Sequence, residues 1–411
     1  MVCDWKESKM KIELEILTGS PFSSNLFTKD KGIPLIRIRD LKTNNPTTFY
    51  DGPFDGKYIV KSGEVLVGMD GEFNIIKWKG PDSLLNQRVA KITTKNFNTL
   101  DMDFIYYRLQ SELKRIEETT PATTVKHLSK KDIENLVLVL PSKNEQQNIA
   151  EILSSVDKAI EKTETIIYKT ETIKKGLMQQ LLTKGIGHTE FKKTKIGIIP
   201  VTWEVVSMDS CSDIKSGITK GRKTTNSNMQ SVPYIRVANV QDGYIDLSEI
   251  KYIDATEEEI QKYSLMEEDL LLTEGGDIDK LGRGFIWKDQ GKIFIHQNHV
   301  FRVRVTSNLI IPKFLSYLCS SNYGKSYFLS CAKQTTNLAS INSTQLKQFP
   351  VLVPPVAEQI SIINVLDSIE KKLSIEVSKR KCYEILKKGL MNSLLTGKVR
   401  VKTDQPEEVL L

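Results

Sequence analysis

The stretch "SGITKGRKTTNSN" (216–228) holds the side chains best suited to a polyanion. Lys220, Arg222 and Lys223 can neutralise phosphates. Asn226 and Asn228 carry the paired donor and acceptor that match an adenine edge. The corresponding stretch early in the chain, "TGSPFSSNLFTKDKG" (18–32), is less basic. Polar and cationic residues follow both stretches in matching places: Arg37, Arg39, Lys42 and Asn44 in one case, Arg236, Asn239 and Gln241 in the other. Arg283 adds one more cation. An ordinary solvated loop could have the same composition, and residue type alone does not divide base readers from groups that only position a protein on DNA.

Residues able to make or break bonds are harder to find. There is no GxxxxGK[ST] phosphate loop and no GxGxxG turn. "GGDIDKLGRG" (275–284) has the wrong spacing for either. No [DN]-P-P-[YF] motif of an adenine methyltransferase is present, and no E-x-K lies near "PDSLL" to make a nuclease. His296 and His299 are three apart, but no third metal ligand accompanies them. The five cysteines are scattered and unpaired in spacing, which argues for reduced thiols rather than a disulfide frame or a zinc site. The chain is expected to catalyse nothing and to hold no metal or cofactor.

The elements that must position these residues come in duplicate. "KKGLMQQLLT" (174–183) returns as "KKGLMNSLLT" (387–396), an offset of 213. That offset holds without a gap back to "EQQNIAEILSSVDK" and "EQISIINVLDSIEK", with 15 identities in 39 positions. Further upstream "PLIRIRDL" faces "PYIRVANV", "GEVLVGMDGE" faces "EDLLLTEGGD", and "LNQRVAKI" faces "HQNHVFRV". Trp5 and Gly19 are spaced like Trp203 and Gly217, with the offset reduced to 198. A repeat this long is not a solenoid period.

Each copy begins with short alternating apolar runs punctuated by Gly, Pro, Asn and Asp, which predicts an α+β domain. The strand candidates are "PLIRIR", "EVLVG", "FNIIKW" and "RVAKIT", then "PYIRVANV", "DLLLT", "GFIW" and "HVFRVRVT". Single helices are expected over 102–118 and 312–329. Each copy then ends in a long helix. In the first, Ile149, Ile152, Val156, Ala159, Thr163, Ile166, Thr170, Ile173 and Leu177 step by threes and fours, the seam of a coiled coil. In the second, Leu366, Ile369, Leu373, Val377, Leu386, Leu390 and Leu394 give a less regular stripe. Thirty-nine helical residues would span roughly 58 Å. A stripe of this kind needs a partner, and an antiparallel pairing of the two helices supplies one, with approximate two-fold symmetry. Gly176 and Gly389 lie in register inside the helices, where close approach of a neighbouring backbone would offset a cost of about 1 kcal/mol each.

The formal net charge is +7, of which the two helices carry −1 and +2. The basic excess therefore sits with the globular repeats, and a duplex is a ligand that offers two equivalent sites at fixed spacing. No run of about 18 apolar residues and no signal-peptide core occur, so a cytoplasmic chain with no membrane partner is expected. A DNA-binding regulator would explain the duplication and charge equally well. A pure coiled-coil scaffold would leave the strand-rich repeats unexplained.

Taken together, "P-x-x-x-EQ" (Pro141 to Gln146; Pro354 to Gln359), "KKGLM-x-x-LLT", "YIRVANVQDGYID" and "LLNQRV" resemble the specificity subunit of type I restriction-modification systems over nearly the whole chain. The resemblance implies two α/β target-recognition domains (1–141 and 187–354), separated by long antiparallel coiled-coil helices (142–186 and 355–399), with a tail at 400–411. It implies an asymmetric bipartite DNA target, one half-site per domain, with the helices as a ruler. It also implies docking of two adenine methyltransferase subunits that use S-adenosylmethionine, and of two translocase/nuclease subunits that use ATP and Mg. Gly176, Leu177, Met178 and Leu181, with Gly389, Leu390, Met391 and Leu394, are the expected docking residues. Little sequence precedes Trp5, so "GKVRVKTDQPEEVLL" (397–411) is a candidate to complete the first domain, making the layout circular.

Overall fold

The computed structural model describes residues 5–119, 126–221, 228–277, 281–334 and 338–402. The chain divides into two compact units. One comprises residues up to Glu164 together with the stretch from Ser378 on, and the other is Thr165–Val377. Each unit thus combines one globular repeat with halves of both long helices.

In the first unit β1 (Leu14–Thr18), β2 (Val65–Gly68), β3 (Ile75–Lys77) and β4 (Val89–Thr94) form an antiparallel sheet in the order β1–β4–β2–β3. In the second, β5 (Ser212–Ser216), β6 (Leu270–Thr273), β7 (Gly284–Ile286) and β8 (Val300–Val305) repeat it as β5–β8–β6–β7. All four residues of β2 and of β6 are buried, so these central strands read as unbroken apolar runs. A second sheet in each unit, five-stranded in the first and three-stranded in the second, contains one parallel pair, Leu35–Leu84 and Ile36–Leu85 in the first, Tyr234–Ile295 and Ile235–His296 in the second. An antiparallel pair, Lys6–Lys9 with Val137–Leu140 or Glu204–Ser207 with Pro350–Val353, ties each repeat's start to the strand that leads into its long helix.

Two sequence expectations are corrected here. The runs "PLIRIR" and "PYIRVANV" stop being strands at Ile36 and Ile235 and turn into short 3-10 segments, Ile38–Lys42 and Val237–Asn239. The cause is local: Asp40 Oδ2 accepts from the Arg37 amide at 2.9 Å and Asn239 Oδ1 from the Arg236 amide at 3.0 Å, which competes with the ladder. The helix α1 (Met102–Thr119) forms as one piece, but the expected helix over 312–329 is two, α3 (Pro312–Ser320) and α4 (Asn322–Cys331). Ser321 takes an extended conformation between them, and its hydroxyl accepts from the Gly324 amide, capping α4.

The long helices are α2 (Lys143–Lys184) and α5 (Val356–Leu394). Within each unit they run antiparallel. In the first, Asp157 of α2 pairs with Lys387 of α5 at 2.7 Å, while Leu153 of α2 shares a core with Leu394 and Leu395, further along α5 and just past its end. In the second, Lys174 pairs with Glu370 at 2.9 Å, and Leu181 and Leu182 share a core with Ile362 and Leu366. The buried face departs from the expected seam. Ile167 is buried and Ile173 is 55% exposed; on α5 Glu376 is buried and Val377 exposed. The row spaced by seven stays buried at Ile149, Val156, Thr163 and Thr170, while the alternate row, Ile152, Ala159 and Ile166, is half-buried and ends exposed at Ile173.

The "P-x-x-x-EQ" motifs are polar clamps at the helix starts. Glu145 accepts from Trp5 Nε1 at 3.3 Å and from Arg400 Nε and Nη2, both at 2.8 Å. Burial raises the Glu145 carboxyl, and Arg400 together with the Val401 amide more than offsets this, holding it below the usual glutamate range. Glu358 accepts from Trp203 Nε1 at 3.0 Å, from the Ile186 amide at 2.9 Å and faces His188 Nε2 at 2.9 Å. Gln146 and Gln359, both buried, bridge to Pro141 and Pro354 carbonyls and to Thr99 and Leu309 carbonyls. Each globular repeat is therefore closed by the segment that follows a long helix: 181–188 on the second, 394–402 on the first. The rest of the tail, from 403, lies outside the described residues.

Candidate nucleic-acid interface

In both units one glycine sets the geometry of the loop cluster. The Gly19 amide donates to Val89 O at 3.0 Å, Ser20 to Leu85 O at 2.9 Å, and the Gln87 amide returns to Ser20 O at 3.1 Å. In the second unit Ile218 donates to His296 O at 2.8 Å and Asn298 to Ile218 O at 3.0 Å. A Cβ on Gly19 would collide with the Asn86 carbonyl, and one on Gly217 with the His296 carbonyl. The stretches that begin at 18 and 216 are thereby pinned to the turns 86–88 and 297–299. Those turns are pinned in turn to the ends of β2 and β6: Met69 donates to Arg88 O at 2.9 Å, Glu274 to His299 O at 3.0 Å.

The predicted contact residues divide on this frame. Arg222, Lys223 and Asn226 lie outside the described residues. Lys220 and Arg37 are exposed. Arg39 is exposed and donates to Thr47 and Thr48 hydroxyls; Lys42 pairs with Glu72 at 2.7 Å. Arg236 Nη2 reaches Glu249 O at 3.2 Å, Arg283 Nη2 reaches Val237 O at 3.2 Å, and Gln241 Nε2 reaches Ala238 O at 2.7 Å. Two assignments are corrected. Asn239 is buried, with Nδ2 donating to Asp246 O and Glu249 O and Oδ1 accepting from Arg236, so it holds the loop and does not offer an edge to a base. Asn44 sits at φ 53°, the left-handed region Asn tolerates, and its Oδ1 accepts from the Lys79 amide at 3.0 Å.

Sequence reasoning missed the turn itself. Gln87 and Arg88 are exposed in one copy, His299 in the other beside half-buried Asn298. Arg88 Nη1 donates to Asp70 Oδ2 at 2.6 Å, with His127 Nδ1 on the other oxygen at 2.6 Å. His299 Nδ1 pairs with Glu274, and its Nε2 lies 3.2 Å from Asn298 Nδ2. The signal was present in the aligned "LNQRV" and "HQNHV", a side-chain amide followed by Arg in one and His in the other. His296, by contrast, is buried, its Nδ1–H donating to Val300 O at 2.7 Å.

The docking residues also divide. Leu181 and Leu394 belong to the cores, and Leu177, Met178, Leu390 and Met391 pack against them. The repetition of KKGLM-x-x-LLT thus has a structural cause within each unit. Gly176 and Gly389 face open space, with nothing within 4 Å of an added Cβ, so the expected close approach of a neighbouring backbone is absent. Among the described residues no three metal-ligating side chains converge, the cysteines Cys211, Cys319, Cys331 and Cys382 are free thiols, and no helix is long and apolar enough to cross a membrane.

Two copies of one α/β module with equivalent polar loop clusters, each braced on a shared pair of long helices, define a duplicated recognition protein. The family model for the type I restriction modification DNA specificity domain matches residues 3–171 and again 200–384. The chain belongs to this family. It is 32% identical over 353 residues to the type I restriction enzyme MjaVIII specificity subunit of Methanocaldococcus jannaschii, covering 84% of this chain and 81% of that one. It is 28% identical over 392 residues to the EcoBI specificity subunit of Escherichia coli, covering 90% and 81%. The crystal structure of a type I restriction-modification S subunit from M. genitalium shares the fold at TM-score 0.60 and 14% identity, over 95% of this chain and 96% of that one. A structure described for type I complex assembly and conformational transition shares it at 0.54 and 13%, over 96% and 98%.

Proposed function

We propose that this chain is the DNA-recognition subunit of a type I restriction-modification complex. Each repeat reads one half of an asymmetric, two-part target. The observation that carries this reading is the pairing of a kept frame with divergent loops. Both units repeat the sheet order, the glycine tether and the Glu–Trp clamp, while the stretches at 18–32 and 216–228 differ in charge and sequence. A duplex supplies two sites of one kind at fixed spacing, and different loops read different words. In this reading the helices set the unread spacer. Two adenine methyltransferase subunits dock on them, with exposed Gly176 and Gly389 marking equivalent surfaces. Two restriction subunits join that core. S-adenosylmethionine, ATP and Mg belong to those partners, this chain holds no cofactor, and the complex works in the cytoplasm.

The test is modified-base sequencing of DNA from cells with and without the gene. A two-part methyladenine motif that disappears with the gene is the expected result. No change in any motif, in cells shown to express the chain and an active methyltransferase partner, overturns the reading.

A further inference from the structure

We infer that the turns 86–88 and 297–299 are the sugar–phosphate anchors of the two recognition modules, with Arg88 and His299 as the phosphate-contacting side chains. This rests on the DNA-reading function proposed above. The two modules must differ where they read different bases. Where they meet what both half-sites share, the phosphate backbone, they need not differ. The turns are the part of the loop cluster whose chemistry is kept: Gln87–Arg88 in one copy, Asn298–His299 in the other, a side-chain amide and then an exposed nitrogen base. The stretches tethered to them, from 18 and from 216, are not kept.

The position is also fixed in space twice over. The glycine tether holds each turn from one side and the strand end from the other. A carboxylate from that strand end, Asp70 or Glu274, orients the Arg88 guanidinium and the His299 ring. Arg88 is 62% exposed, and Asp70 engages only its Nη1, so guanidinium donors remain for a phosphate oxygen. His299 is 56% exposed but has Asn298 at its Nε2. That nitrogen donates to a phosphate only when the ring is cationic and the Asn298 contact is given up, so His299 is the weaker anchor. Lys220, exposed two residues beyond the tethered Ile218, extends the same patch in the second unit.

The test measures binding of the full-length chain to a duplex carrying its own methylation motif, and to mismatched duplexes, across a salt series. Arg88→Gln is expected to weaken binding about five-fold at 0.15 M salt, equally for all sequences, and to lower the slope of log K against log salt by about 0.9, one phosphate's worth. Arg88→Lys, which keeps the charge, should restore most of the slope, and His299→Arg should raise it. An unchanged affinity and slope in Arg88→Gln would overturn the inference. So would loss of discrimination at one base position, which would make Arg88 a base reader. Failure of the unaltered chain to prefer its motif would instead strike at the DNA-reading function itself.

Discussion

The first and second units solve one closing problem with different residues. In each, a glutamate at the start of a long helix, buried as Glu145 and half-buried as Glu358, receives a tryptophan indole from the globular repeat and a basic side chain from the segment after the other long helix. The first unit uses Arg400, which makes two hydrogen bonds to Glu145; the second uses His188 with the Ile186 amide. The glutamate and indole are kept because each needs the other: a buried carboxylate and a buried N–H are costly unless paired. The third partner is free to change as long as it donates. The same contrast recurs at the parallel pair, where Leu85 of the first unit corresponds to buried His296 in the second.

Removing the clamp should have the largest effect. Glu145→Ala removes the carboxylate that Trp5 Nε1 and Arg400 share, and roughly 3 kcal/mol of stability should be lost from the first unit. Glu358→Ala should act likewise on the second. Local protection measured by hydrogen exchange separates the two: each variant should lower protection in its own unit. If Glu145→Ala weakened both units equally, the division at the clamps would be wrong. Acid should act on the same contact. The Glu145 carboxyl is held low, so its contribution is present above the ordinary glutamate pKa and is lost as pH falls through the lower folded value.

The tethers come next. Gly19→Ala and Gly217→Ala place a methyl group against a backbone carbonyl, which should cost about 1–3 kcal/mol through a shifted loop. The functional readout is sharper than the stability. Gly19→Ala should degrade recognition of one half of the target and Gly217→Ala the other, read from the methylated motif in cells carrying each variant. Loss of both halves in either variant would break the assignment of one half-site per repeat.

The duplication, both long helices and the central strands were legible in the sequence because each rests on repetition or strong periodicity, although the second helix ends at Leu394, short of the expected 399. What was not legible depended on tertiary context. Ile173 and Ile167 are both apolar on one helix, and only the direction of the partner decides which is buried. Asn239 and Asn44 look like base readers by type, yet the fold uses both to satisfy backbone groups. Arg88 and His299 sit in runs that read as strand, and the turn they form shows its exposure only once the sheets are formed.

His296 sharpens the comparison through pH. Burial, with Arg302 and Arg304 nearby, pushes its pKa down to about 4, against the hydrogen bond its ring donates to Val300 O and the charge of Asp269. Unfolded, the ring takes a proton near 6.5. The stability carried by the neutral ring is therefore complete above about 6.5 and is lost progressively as pH falls toward about 4, by up to about 1.4 kcal/mol per pH unit. His296→Leu, the residue type of the first unit at Leu85, should flatten that part of the second unit's profile between pH 7 and 5. An unchanged profile would mean that another group carries the acid sensitivity.

The helix ion pairs should show the smallest effect, and the most symmetric one. Asp157–Lys387 and Glu370–Lys174 occupy equivalent positions in the two units, and the side chains of all four residues are 22–26% exposed. Solvent at that exposure screens the attraction, so each pair should contribute about 0.5–1 kcal/mol. Double-mutant cycles with Lys387→Met and Asp157→Asn, then Lys174→Met and Glu370→Gln, should give coupling energies equal within about 0.5 kcal/mol. Asp157 also accepts from Tyr107 at 2.7 Å, so the single variant Asp157→Asn should cost more than its coupling to Lys387 accounts for. Equal couplings would mean that the helix frame is two-fold in energy as well as in sequence. A pair that couples in only one unit would mean that the two copies have diverged in the frame as well as in the loops.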